Sequence, residues 1–63
     1  MASILEAVAD AFAEGYEDSG EDTMYAERMA VEYLVKEQNF PEDIAKAYVK
    51  HNMNAINKIV FGS

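Results

Sequence analysis

The sequence predicts an all-α fold: a small compact bundle of three to four short helices, forming a single domain over residues 1–63. Three observations carry this. Apolar residues recur at three- and four-residue spacing along most of the chain, which is the period of an amphipathic helix. No stretch alternates polar and apolar residues as a half-buried strand does. Helix-boundary residues (Ser3, Asp22 and Pro41) stand just ahead of the periodic runs.

The first helix is expected from Ile4 to about Tyr16. Ser3-Ile4-Leu5-Glu6 has the spacing of a capping box, and Leu5, Val8, Phe12 and Tyr16 follow at helical spacing. Gly15, Ser19 and Gly20 are expected to end or loosen it. The second helix is expected from Thr23, capped by Asp22, to about Gln38. Met24, Tyr25, Ala26, Met29, Ala30, Val31, Tyr33, Leu34 and Val35 cover most of its circumference, which marks a helix buried on more than one side and central to the domain. Asn39-Phe40-Pro41 separates it from a third helix, because the residue before proline avoids the helical region while proline suits a first turn. Glu42 and Asp43 then favour that helix's positive end, and Ile44, Ala47 and Tyr48 are expected to form its inner face, which His51 either joins or leaves for the surface. Asn52 or Asn54 can cap a short last helix carrying Ile56, Ile59 and Val60.

Size and composition exclude several classes of function. Sixty-three residues build a core worth roughly 3–5 kcal/mol, with no room for a catalytic cleft and its supporting shell. The absence of cysteine rules out disulfides and thiolate metal sites and fits a cytoplasmic location. No apolar run approaches the roughly 20 residues of a membrane span, and Glu6 and Asp10 interrupt any signal-peptide pattern near Met1. His51 is the only histidine, so no histidine relay or cluster exists; it is expected at a helix end or on the surface. The chain is therefore expected to be non-enzymatic, without cofactor or metal.

Charge is the strongest functional signal. The net charge is −7, yet residues 1–43 hold all twelve acids against only Arg28 and Lys36, while residues 44–63 hold Lys46, Lys50, Lys58 and no acid. Such a bipolar chain attracts basic surfaces, and it allows head-to-tail self-association or a homodimer. Glu6, Asp10, Glu14 and Asp18 stand four residues apart, and Asp22 continues the count; Glu17 and Glu21 add to the same region. Like charges at this spacing cost about 0.2–0.5 kcal/mol per pair on a helix. A surface selected only for solubility mixes the two signs. These seven carboxylates are the candidate partner-binding residues: they would imitate a phosphate backbone and dock on a basic, nucleic-acid-binding groove of another protein. A solvated acidic face is the competing reading. Binding of calcium is a poor fit. With Asp18 as position 1 of a calcium loop, Gly20, Thr23 and Met29 fall where a ligand, a glycine and a glutamate are needed.

Three resemblances add alternatives. Residues 43–60, DIAKAYVKHNMNAINKIV, resemble a helix-turn-helix, with Ile44-Ala45 on the first helix and Ile56 and Ile59 on the second; Val49 stands where the turn glycine is usual. That resemblance implies direct DNA binding through Asn52, Asn54, Asn57 and Lys58. NFPEDIAKA resembles the ubiquitin-associated fold, with Phe40 as the loop aromatic, and implies a helical protein-interaction module; Gln38-Asn39 replaces that family's Met-Gly. In size, acidity and lack of cysteine the chain also resembles inhibitors that phages carry against host defence, including anti-CRISPR proteins. That likeness implies action in a host cytoplasm on a protein partner, with no direct contact to nucleic acid or membrane.

Overall fold

Ser3 opens the first helix as the spacing predicts. Its hydroxyl accepts a hydrogen bond from the Glu6 backbone N–H at 3.2 Å, while its own N–H donates to Glu6 Oε1 at 3.3 Å. Two otherwise unpaired backbone donors are thereby satisfied. The computed structural model in which this is seen describes residues 3–62. It contains α1 (Ile4–Asp18), α2 (Thr23–Glu37), α3 (Glu42–His51) and α4 (Met53–Phe61). Among the described residues there is no strand, and the fold is the small all-α bundle expected.

α1 runs two residues past its expected end, and Gly15 neither ends nor loosens it. Gly15 is buried inside the helix. A Cβ placed there would lie 2.9 Å from Met29 Cγ and 3.1 Å from the Ala26 Cα. Its role is close approach of α1 to α2, which a side chain would prevent. The stop comes later. Gly20 takes a left-handed φ of +71° and its N–H donates to the Glu17 carbonyl at 3.3 Å, while the Glu21 N–H donates to the Tyr16 carbonyl at 2.8 Å. These paired bonds are those of a Schellman cap. Ser19 ties the link together: its hydroxyl donates to the Gly15 carbonyl at 2.7 Å and accepts from the Asp22 N–H at 3.2 Å.

Asp22 caps α2 as expected, accepting from the N–H groups of Met24 and Tyr25 at 2.9 and 3.2 Å. Its far end matches expectation to within a residue. Asn39 turns the chain with φ +59°, and the N–H groups of Gln38 and Phe40 both donate to the Leu34 carbonyl. Burial of α2 is narrower than its composition suggests. Ala26, Ala30 and Leu34 are buried, but Met24 is 78% exposed and Tyr25 41%. α2 packs on α1 and on α3, and α1 packs on α2 and on α4, so the two long helices share the centre. A chain of this length has too few elements to surround any one helix.

α3 is rotated from its expected face. Ala45 and Val49 are buried, whereas Ile44 is 52% exposed and Ala47 and His51 are also exposed. The shift is one residue, about 100° around the axis. Tyr48 fits this: its hydroxyl would lack a partner in the apolar centre, and it sits half-buried at the edge, with its ring at right angles to Phe40 at 6.0 Å. Small Ala45 then takes the inner position. Asn52 stands at the N-cap position of α4, one of the two places expected, but its side chain makes no capping hydrogen bond there. The Asn52 side chain instead donates to the Tyr48 carbonyl at 2.8 Å and closes α3. α4 buries Ile56, leaves Ile59 46% exposed and ends at Gly62 with φ +67°. The core is completed by Val8, Ala9 and Phe12 of α1. Burying each large member, such as Phe12, Leu34 or Ile56, contributes about 1.5–3 kcal/mol.

Candidate partner-binding surface

All seven candidate carboxylates are exposed, but the fold gives them different roles. Glu6 closes the α1 capping box, and Asp22 caps α2. Asp10, Glu14 and Asp18 remain on α1 at four-residue intervals, about 6 Å per step along the axis. Among the described residues none of the three forms an ion pair. Glu14 and Asp18 line an open groove of about 330 Å³ between α1 and α2, together with Glu32, Lys36 and Glu37 of α2. Glu17 and Glu21 face another way. They line an open groove of about 530 Å³ beside Tyr16, Val60 and Phe61, where the Tyr16 and Phe61 rings meet edge-on at 5.1 Å. The structure thus divides six of the seven between two grooves and two helix caps, and Asp10 stands apart, exposed on α1.

Glu32 and Glu37 enlarge the acidic edge and were not among the residues read from the sequence as a surface. Their signal is the four-residue link 19–22, which forces α2 back along α1 and brings residues far apart in sequence to one groove. Glu32 is partly offset by Lys36 at 3.1 Å, an exposed pair worth a few tenths of a kcal/mol.

Another open groove, of about 600 Å³, lies between α2 and α3. Val31, Val35 and Met29 give it an apolar floor, and Arg28, Lys36, Glu42 and Lys46 stand along it. Lys46 lies 3.3 Å from Glu42 across one helical turn. Arg28 has no ion-pair partner among the described residues.

Among the described residues no polar or charged side chain is buried, and no three histidine or acidic residues converge as a metal ion would require. His51 is exposed in the last turn of α3, beside Lys50, where positive charge suits the helix end. No described helix is long and apolar enough to cross a membrane. The stretch resembling a helix-turn-helix forms α3 and α4, but Asn52 alone separates them, against the three- or four-residue turn of that motif. Asn52 is also held by the Tyr48 carbonyl. Phe40, the loop aromatic of the ubiquitin-associated resemblance, is spent on packing against Tyr48. No family model matches the chain, and no curated protein and no solved structure shows significant similarity to it.

Proposed function

We propose that this protein is a non-enzymatic inhibitor or regulator whose acidic surface occupies a basic, nucleic-acid-binding groove of a partner protein. One observation supports the reading most. Asp10, Glu14 and Asp18 stand exposed on successive turns of α1 with no cation paired to them among the described residues, and Glu37 of α2 extends that edge. The arrangement keeps like charges together at a cost of about 0.2–0.5 kcal/mol for each adjacent pair. A partner rich in lysine and arginine would convert that cost into attraction and into rapid, salt-sensitive association. Action of the kind phage inhibitors exert on host defence proteins, anti-CRISPR action included, is in keeping with a short, acidic, cysteine-free chain.

The test uses the native chain and an Asp10→Lys/Glu14→Lys/Asp18→Lys variant, leaving the capping residues Glu6 and Asp22 intact. Each serves as bait in a host lysate, with captured proteins identified by mass spectrometry. The expected result is a nucleic-acid-binding protein captured by the native chain only, whose mobility shift of its nucleic acid disappears when the native chain is added. Equal capture by the reversed variant, or an undiminished mobility shift, counts against the proposal. A direct shift of duplex DNA by the chain alone would favour residues 43–60 as a DNA-binding surface instead.

A further inference from the structure

The α1/α2 and α2/α3 grooves open on one face of the molecule, because Met29, Glu32 and Lys36 of α2 line both. On that face α1 and α3 flank α2, and the flanks carry opposite charge. Along the α1 side stand Glu14 and Asp18, without ion pairs among the described residues. On the α3 side stand Arg28, likewise without one, and Lys46, whose only ion pair among the described residues is the exposed one with Glu42. The ridge between them is close to neutral, with Met29 and the Glu32–Lys36 pair.

We infer that this face binds the same face of a second copy, forming a homodimer whose two-fold axis runs along α2. That rotation lays α1 of each copy over α3 of the other. Glu14 and Asp18 then meet Arg28 and Lys46 of the second copy, twice over, as a self-complementary interface requires. A two-fold axis across α2 would set α1 on α1 and like charge on like, so the charge pattern selects the first arrangement. The net charge of −7 does not forbid this. Charges more than about 8 Å apart are screened at physiological salt, whereas facing pairs are not. The molecule measures 27 × 24 × 20 Å, so a single face offers at most about 650 Å² per copy, no more than the low end for specific association. The dimer is accordingly weak and concentration-dependent. It does not rest on the proposed inhibitor role, although both draw on Glu14 and Asp18.

Sedimentation velocity in about 0.15 M salt tests it. The native chain is expected to pass from monomer to dimer between about 10 µM and about 1 mM. Arg28→Glu/Lys46→Glu and Glu14→Lys/Asp18→Lys should each weaken self-association at least about tenfold. An equimolar mixture of the two variants should restore a dimer, because each supplies the charge the other lost. Circular dichroism checks that both remain helical, and Arg28→Gln/Lys46→Gln replaces the first pair if reversal unfolds it. A native chain that stays monomeric throughout, variants that dimerise like the native chain, or a mixture that stays monomeric would each overturn the inference. Arg28→Glu/Lys46→Glu leaves the acidic edge intact. Its capture of a basic partner therefore reports on the inhibitor reading separately from dimerisation.

Discussion

Gly15 shows how one hydrogen atom in place of a methyl group sets the distance between two helices. Glycine in a helix interior costs roughly 1 kcal/mol relative to alanine, so propensity alone favours Gly15→Ala. The neighbours oppose it, since the new Cβ would meet Met29 Cγ at 2.9 Å and backbone of α2 at 3.1 Å. Met29 can swing aside, but the Ala26 Cα cannot move without α2 moving. Overpacking of this kind costs about 1–3 kcal/mol, which exceeds the propensity gain. Gly15→Ala is expected to lower stability by about 1 kcal/mol, read from the denaturant midpoint at unchanged slope. A stabilised variant would mean that α1 and α2 have slack between them.

At the scale of elements, the α1–α2 link carries a local conflict. Glu21 holds φ +74°, a left-handed backbone that costs a residue with a Cβ about 1–2 kcal/mol. Its side chain is exposed and no described hydrogen bond uses it. Glu21→Gly is therefore expected to raise stability by about 0.5–1 kcal/mol, after glycine's greater freedom in the unfolded chain is subtracted; thermal unfolding checks it. Helix existence and start points were legible here because caps are local: Ser3 with Glu6, Asp22, and Asn39-Phe40-Pro41 each act within a few residues. What was not legible depended on neighbours. The α3 face turned on where Tyr48 finds room against Phe40, and Asn52 stands at once at the end of α3 and at the N-cap of α4, with its side chain turned back to the Tyr48 carbonyl. The acidic edge was legible as a series on α1. Its enlargement by Glu32 and Glu37, and the diversion of Glu17 and Glu21 to the Phe61 side, required knowing how α2 and α4 lie against α1.

For the whole molecule, electrostatics opposes folding more than it assists it. Twelve acids face five bases, and the two ion pairs among the described residues are both exposed and short-range. Screening should relieve the repulsion along α1 while removing little attraction. Thermal midpoints are therefore expected to rise between about 0.01 and about 0.5 M sodium chloride, by a few degrees, most steeply at the low end. The Asp10→Lys/Glu14→Lys/Asp18→Lys variant should lose most of that salt dependence. A native midpoint that falls with salt would place net attraction, not repulsion, in the folded state.

The single-residue joint at Asn52 has a consequence for how this chain is folded at all. α3 and α4 together span residues 42–61, and as one uninterrupted rod they would reach about 30 Å at 1.5 Å per residue, longer than the molecule's greatest extent of 27 Å. Straightened, the chain would carry Ile56 and Phe61 out past Phe12 and leave an empty berth on α1. A second chain's tail, bearing the same side chains, would fit that berth. The bend lies in the Asn52 backbone, at φ −106° and ψ 14°, and it returns the chain's tail to its own body, where Phe61 meets Tyr16 and Phe12.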